Sequence, residues 1–324
     1  MLVQNTAEEH AVHEPQDDAG QQLGRKGPFK LPKHPPQPQE PPGGKSHFIL
    51  DVVRAGGKFM NPYRFRFRAF RAKVPVHVEV RNFVVKTVDT ASELEDILRL
   101  RYKVFYKEFL EKRRLIAMDI DQFDLICDHL MIIDKKSHAC VGTYRLNCSL
   151  FNSRFYSETE FAMDAILGLP GVKLELGRAC VHKDYRRGII LTLLWRGLGE
   201  YVKATNTKYL FGCSSVKTLD PLEIAAVHNY LMTRHPSAAS CRVVPNEAYR
   251  VKSLPLYAEA VRCMQAEVVH GHAARLIPTL LMSYLHSGAV ICGDPALDKE
   301  FKCVDFFTLL DFATAAEATT RRFL

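Results

Sequence analysis

Three short charged stretches set among apolar runs constrain this chain more than any other feature. They are L-R-Y-K-V-F at residues 100–105, D-I-D-Q-F-D at 119–124 and E-L-G-R at 175–178. The last lies inside V-K-L-E-L-G-R-A-C-V-H, residues 172–182, which reads as a β-strand. Charge carried into a strand core is costly unless it is paired or holds a polar ligand. A fold for this chain must therefore gather these groups, and the three stretches mark a candidate active site.

The elements around them alternate. Residues 78–88 read as a first strand, and Thr90 with Glu93 forms a capping box for a helix running to about Glu111. Two apolar runs, 126–134 and 139–148, flank a polar turn and predict a hairpin. A short helix is expected near 160–167, the strand 172–182 follows, then a helix over 189–205 and a strand over 208–213. A helix over 220–233 stops before Pro236. A last helix over 273–286 ends at Gly288, and strands follow at 289–292 and 303–310. This order predicts an α/β (α+β) fold, a mixed central sheet with helices on both faces.

Residues 1–45 are polar and proline-rich, too poor in apolar area to offset chain entropy, and are expected to be a disordered tail. Residues 46–77 form a basic, aromatic segment, and the folded domain is expected over 78–324. Within the second segment, Y-R-F-R-F-R-A-F-R alternates ring and guanidinium. As a strand it would place Phe65 and Phe67 on one face, with Arg64, Arg66 and Arg68 on the other. Its simplest reading is a half-buried strand. The competing one is an interfacial patch with rings in lipid and arginines on phosphates.

With 324 residues, a formal net charge of +8 and nine cysteines, the chain has the make-up of a globular protein that meets acidic partners. Charge alone leaves nucleic acid, anionic lipid and an acidic carrier protein open. The cysteines are odd in number and form no C-x-x-C pair, so neither a zinc ribbon nor a disulfide framework is expected. Cys140, Cys180, Cys213 and Cys292 sit in apolar runs, as reduced core cysteines of a cytoplasmic protein do. The start of the chain carries no basic segment followed by an apolar h-region, and no apolar run reaches the roughly 18–20 residues that span a bilayer.

The motifs and their order resemble the acyl-carrier-dependent branch of the GNAT acyltransferase superfamily, which includes the acyl-homoserine-lactone synthases. The residues concerned are Arg101 and Phe105 in the helix, Asp119, Asp121 and Asp124 in the acidic loop, Arg145 in T-Y-R-L, and Glu175 with Arg178. The chain is more closely similar to the ornithine N-acyltransferases of ornithine-lipid synthesis and the related N-acyl amino acid synthases. That likeness runs through C-D-H-L, V-G-T-Y-R-L, F-Y-S-E-T-E-F, L-W-R-G-L, Y-L-F-G-C and G-D-P-A-L-D-K-E-F, over roughly residues 80–312. It implies a mostly antiparallel GNAT-like sheet and an N-acyltransferase. The implied reaction moves a long acyl group, 3-hydroxylated or not, from acyl-carrier protein to the α-amine of an amino acid, ornithine first.

One departure bears on the donor. GNAT enzymes that use coenzyme A carry R/Q-x-x-G-x-G/A, whose amides cradle a pyrophosphate at a helix N-terminus. Here the stretch is Y-R-R-G-I-I, residues 185–190, and Ile190 at the second glycine position is expected to crowd a pyrophosphate. The resemblance then implies a carrier-protein thioester as co-substrate and no separate cofactor. Lys183, Arg186, Arg187 and Gly188 would meet its pantetheine phosphate and the acidic carrier; as the alternative, these are solvated charges before a helix.

The chemistry asks for a neutral amine, a path for its proton and a polarised carbonyl. Glu175 is the candidate base, its alternative being an ion pair with Arg178 that only orders the strand. The loop aspartates are expected to hold a cationic acceptor, against the plain reading of an Asp-rich turn. Arg101 and Arg145 would bind the acceptor's carboxylate while Phe105 walls the acyl tunnel, or both arginines are core groups that snorkel. His129 and Asp134 form H-x-x-x-x-D, but on one strand this spacing aims them to opposite faces. His270 and His272 lack a third ligand, and no metal is expected. The product would be a lyso-lipid, so the protein is expected in the cytoplasm and on the inner membrane surface, with no nucleic-acid partner. Two other readings stand beside this one: a synthase of N-acyl amino acid or acyl-homoserine-lactone signals, and a haemolysin-like lipid-binding protein on a retained GNAT fold.

Overall fold

The computed structural model describes residue 67 and residues 69–186 and 189–315. The tail, most of the basic aromatic segment, Arg187 and Gly188 lie outside the described residues. Eleven strands and seven α-helices are described. The strands are β1 (His77–Val80), β2 (Phe83–Thr87), β3 (Asp128–Asp134), β4 (Ala139–Cys148), β5 (Phe161–Ala162), β6 (Val172–Val181), β7 (Thr207–Val216), β8 (Val244–Pro245), β9 (Val290–Ile291), β10 (Ala296–Asp298) and β11 (Cys303–Asp311). The helices are α1 (Ala91–Arg101), α2 (Asp164–Leu167), α3 (Ile190–Thr205), α4 (Pro221–Arg234), α5 (Leu254–Arg262), α6 (Ala266–Leu276) and α7 (Thr279–His286).

One sheet organises them, in the order β1-β2-β3-β4-β6-β7-β11-β10, with β9 also on β11. Every neighbouring pair is antiparallel except β6–β7, which is parallel. The alternation of β3 shows how both faces are covered. Leu130 and Ile132 pack under α3 with Leu193, Trp195 and Leu198, while Met131 packs on the opposite face with Leu94, Ile97 and Leu98 of α1. The β7–β11 end repeats the pattern. Val304 and Phe306 face α4–α7, and Phe307 and Leu309 face Phe155, Phe161 and Ile166. The predicted GNAT-like, mostly antiparallel sheet with helices on both faces is what the chain forms.

Local differences have local causes. The run 78–88 is a hairpin, not one strand, because Arg81 adopts a left-handed backbone (φ 51°) and turns β1 onto β2. The helix expected at 160–167 is a 3₁₀ turn (Tyr156–Thr159), then β5, then the one turn of α2. The helix expected at 273–286 breaks before Pro278, since the residue preceding a proline is pushed out of the α region; Ile277 has ψ 122°. At the cap of α1, Thr90 accepts from Glu93 N–H at 3.2 Å, but Glu93 reaches back to the Asp89 amide (2.9 Å) rather than to that of Thr90. Phe67 and Phe70 are both buried, and the Phe70 amide donates to the Phe67 carbonyl. The chain therefore turns here instead of continuing as a strand.

Two features place the site. Past Arg101 the helix widens into a π-helical segment, Tyr102–Phe109, an irregularity found often beside functional sites. The parallel pairing of β6 and β7 ends at Glu175 and Phe211, after which the strands part. Beyond that point β6 is bonded only to β4 and β7 only to β11. At the fork a Cβ on Gly212 would lie 2.3 Å from the Leu176 carbonyl oxygen, so only glycine fits. Gly212→Ala is expected to cost about 1–3 kcal/mol, read as a lower urea midpoint; an unchanged midpoint would refute this close approach.

Candidate active site

The parted strands open a cavity of about 410 Å³, within the range of small-molecule sites. Cross-strand register shows that it passes through the sheet. On one face it is walled by Glu175, Arg145, Phe211, Cys213 and Asp305, and on the other by Leu176, Leu210, Thr308 and Leu310, with Leu281 and Tyr284 of α7 closing that end. One end is thus polar and charged, and the other apolar. At the mouth the half-exposed ring of Phe109 lies between the Arg186 guanidinium (5.9 Å) and Lys217 Nζ (5.6 Å). Arg186 is anchored by Glu108 at 2.6 Å, and Lys183 is exposed on the same turn.

The charged stretches come together as three arginines on three aspartates. Arg101, fully buried at the end of α1, donates to Asp119 (2.7 Å) and in a fork to Asp124 (2.6 and 3.2 Å). Arg145 on β4 donates to both oxygens of Asp121 (2.7 and 2.6 Å) and to Asp124 (3.2 Å). Arg178 donates to Asp121 at 3.2 Å and approaches Asp119 at 3.6 Å. Burial acts to raise the Asp121 carboxyl, but Arg145 and Arg178 outweigh it and hold the group well below the usual carboxylate range. Asp119 is likewise lowered, by Arg101 and Arg178 against burial.

Arg178 reaches this network because of a β-bulge. Arg145 pairs with Gly177 and Thr143 with Cys180, so β6 carries one more residue than β4 there. Arg178 adopts φ 52°, a backbone that costs a non-glycine about 1–2 kcal/mol. In a regular strand, residues three apart face oppositely; the bulge turns Arg178 to the face of Glu175. Its guanidinium is held between the rings of Tyr156 (5.1 Å) and Phe301 (4.9 Å), and its buried Nε–H has no hydrogen-bond partner.

Glu175 is not paired with Arg178. Its Oε1 accepts from the Ser157 amide (2.6 Å) and the Ser157 hydroxyl (2.7 Å), and its Oε2 from the Tyr156 amide (2.9 Å) and Asn147 Nδ2 (3.3 Å). These fill the four acceptor positions of a carboxylate. The Cys213 thiol, pushed up by burial, donates in turn to Ser157 Oγ at 3.5 Å.

A second acidic group reaches the cavity through Asp298 and Asp305. Asp298 ends β10, and Asp305 lies on β11 opposite Ser215. Glu160, fully buried after the 3₁₀ turn, stands beside Asp305 and Tyr156. Burial, and after it Asp305, raises Glu160 to about 9; burial foremost raises Asp305 to about 6, with Asp298 adding to it and Ser215 opposing it.

Residues 100–196 match the acetyltransferase (GNAT) domain. The L-ornithine N(alpha)-acyltransferase of Brucella abortus (strain 2308) is 30% identical over 241 residues, covering 70% of this chain and 83% of that protein. That of Rhizobium meliloti (strain 1021) is 30% identical over 250 residues, covering 71% and 80%. The chain belongs to the L-ornithine N(alpha)-acyltransferase family. As a member of that family it is an N-acyltransferase of the GNAT fold. Among solved structures it is similar to a CoA-dependent acyl-homoserine lactone synthase with SAM and isopentyl-CoA, at 16% identity, over 70% of this chain and 78% of that one, with a TM-score of 0.39.

In this member of the L-ornithine N(alpha)-acyltransferase family, the structure brings Arg101, Asp119, Asp121, Asp124, Arg145, Glu175 and Arg178 into one region, and it revises several expected pairings. Arg101 is consumed by Asp119 and Asp124 and does not line the cavity, whereas Phe105 does, edge-on to Phe301 at 6.4 Å. The loop aspartates are matched by arginines and leave no unpaired charge for a cationic acceptor. The Ile190 side chain does not crowd a ligand; it is buried, and its Cγ2 fills the notch left by Gly142, 2.9 Å from where a Cβ would stand. His129 and Asp134 have separate partners, the Asp124 carbonyl for one and Tyr185 with Ser137 for the other, as their opposite facing requires. Sequence reasoning missed Ser157, Glu160, Asp298, Asp305 and Lys217 as site groups. The first four lay in F-Y-S-E-T-E-F and beside or within G-D-P-A-L-D-K-E-F, and their signal was carboxylates next to aromatic runs.

Two outcomes follow from these charges. Asp124→Ala strands two buried guanidinium groups and is expected to cost about 3–5 kcal/mol. Asp121→Ala, whose side chain is 22% exposed, should cost less, and urea unfolding of both checks the order. For Glu160, the folded chain keeps its proton to about pH 9, against an ordinary 4.5. Between those limits the folded state holds more protons than the unfolded one, so stability falls as pH rises. Glu160→Gln should flatten that fall between roughly pH 5 and 9; parallel pH–stability curves would contradict the assignment.

Proposed function

We propose that this protein transfers a long fatty acyl group, 3-hydroxylated or not, from the pantetheine thioester of acyl-carrier protein to the α-amine of ornithine, giving a lyso-ornithine lipid. The reading is carried by one observation: a cavity through the parted strands, charged at one end and apolar at the other, with Glu175 and Ser157 at its charged face. The names of the relatives supply the acceptor.

In this reading the pantetheine arm lies along the unpaired edges of β6 and β7, and the acyl chain runs toward Leu281, Tyr284 and Leu310. Arg186 and Lys217 at the mouth suit the pantetheine phosphate and an acidic carrier, in keeping with the net charge of +8. Lys183, Arg187 and Gly188 remain part of the proposed carrier-binding turn. The case for a carrier over coenzyme A rests on this basic mouth and the family resemblance, not on Ile190. Work at an anionic membrane surface follows from the lipid product and the basic mouth.

The α-amine, neutral in a fraction of the molecules near pH 8, attacks the thioester carbonyl. The N–C bond forms as the C–S bond breaks, and the thiolate leaves on the carrier. All acceptor positions of Glu175 are filled, so the amine's proton passes to Ser157 Oγ while the Ser157 proton shifts along the 2.7 Å hydrogen bond to Glu175. Free backbone amides of the parted strands meet the oxyanion. Arg178, clamped by Tyr156 and Phe301 and lining the cavity, takes the acceptor's carboxylate, with Arg145 beside it.

Purified protein incubated with labelled acyl-carrier protein and a panel of amino acids should yield acyl-ornithine. No amide with any amino acid would sink the reading, and equal use of acyl-coenzyme A would remove the carrier preference. Glu175→Gln and Ser157→Ala should each lower kcat by about 10²–10⁴-fold with little change in donor KM; full turnover of either would remove it from the proton path.

A further inference from the structure

Two acidic groups of opposite character stand beside the cavity, one behind Arg145 and Arg178 and one reaching it through Asp298 and Asp305. Asp119, Asp121 and Asp124 meet three guanidinium groups. Asp298 and Asp305, which line the cavity, and Glu160 beside Asp305 have no lysine, arginine or histidine nitrogen within 4 Å among the described residues. Oxygens of Asp298 and Asp305 and the Cys303 sulfur lie within 4.8 Å of one another. Neither oxygen of fully buried Glu160 makes a well-formed hydrogen bond, and Tyr156, Cys213 and Asp305 are the polar groups beside it. A buried carboxyl without well-formed hydrogen bonds is costly and favours a further donor.

We infer that Asp298, Asp305 and Glu160 form the recognition site for the side-chain ammonium of a diamino-acid acceptor and so set acceptor selectivity. This rests on the amino-acid N-acyltransferase reading above and adds the residues that choose the amino acid. The chain links the two ends of such an acceptor. Phe301 stacks on Arg178 at 4.9 Å, and its amide donates to Asp298 at 2.9 Å, so one residue joins the carboxylate clamp to the acidic group. On the other wall, Cys213 touches Ser157 and neighbours Glu160, which places the acidic group beside the proposed proton path. An ammonium supplies three donors, and three carboxyls with free lone pairs can accept them. Burial foremost favours the protonated forms of Glu160 and Asp305, and an adjacent ammonium would oppose that by favouring their ionised forms. A divalent metal fits less well, because Asp298 Oδ1 already accepts two backbone amides, the Glu300 and Phe301 N–H groups.

The test compares ornithine with norvaline, which has the same carbon chain and no side-chain amine. Wild-type, Asp305→Asn and Glu160→Gln proteins are checked for native fold by circular dichroism. Each is assayed with one acyl-carrier donor, with and without a chelator, and for thermal shift by each amino acid alone. The wild type should prefer ornithine and be stabilised by ornithine only. Loss of one charge-assisted hydrogen bond should cut the ornithine-to-norvaline ratio of kcat/KM at least about tenfold in each variant, with the thermal shift lost. A ratio within about twofold of wild type, or equal use of the two amino acids by the wild type, overturns the inference and leaves the acyltransferase reading standing. Loss of activity on chelation, restored by a divalent ion, also overturns it in favour of a metal. No acylation of any amino acid together with an ornithine thermal shift that depends on Asp305 would sink the acyltransfer reading alone.

Discussion

The contact on which the site depends is the meeting of three guanidinium groups with three carboxylates between α1, the 119–124 loop and strands β4 and β6. Six charges are taken largely out of water, which is tolerable only because each arginine finds carboxylate oxygens at hydrogen-bond distance and the set is neutral. Such a network need not add stability over an apolar packing of equal volume. It fixes where the parts go. Arg101 ties the end of α1 to the loop, Arg145 ties the loop to β4, and Arg178 ties it to the bulged stretch of β6. The π-helical segment that bears Phe105 and Phe109 starts from Arg101, so the wall of the cavity is set by the same network.

The second constraint is the fork between β6 and β7. A parallel pair that ends after four register positions leaves two strand edges with unused peptide groups facing each other. In a closed sheet this would be a defect. Here it makes a slot lined by backbone donors and acceptors, reached from a basic mouth and continuing to the apolar side of the sheet. The bulge at Arg178 belongs to this arrangement. Left-handed backbone at a non-glycine is kept where the surroundings enforce it, and two ring faces and two aspartates do so.

Much of the frame could be read from the sequence. The hairpin β3–β4, strand β6 and helices α3 and α4 have clean periods of 2 or 3.6, and each formed within one or two residues of expectation. The failures came where the backbone departs from those periods. Arg81 turns a strand into a hairpin without a glycine to mark it, and Pro278 splits a helix whose apolar pattern continues across the break. In the site, the gathering of Arg101, Asp119, Asp121, Asp124, Arg145, Glu175 and Arg178 was legible from the three charged stretches and T-Y-R-L, set among apolar runs and read with the family resemblance. Their pairing was not, since spacing puts Glu175 and Arg178 on opposite faces and cannot show a bulge. Glu160, Asp298 and Asp305 escaped for another reason: they come from a 3₁₀ turn and two late strands that only tertiary packing brings together.

The two acidic groups show how one region of a fold can treat identical side chains in different ways. A carboxylate beside an arginine is a finished interaction, held ionised and of little use to a ligand. One that is buried beside other carboxyls without a cation keeps its proton affinity high and its lone pairs open. The same reasoning separates Glu175 from Glu160. Glu175 accepts four hydrogen bonds and can take a proton only through the serine that fills one of them, whereas Glu160 accepts no well-formed one. Proton movement and charge recognition are therefore assigned to different carboxyls by their hydrogen-bond partners, and Cys213, between Ser157 and Glu160, is the side chain that separates the two tasks.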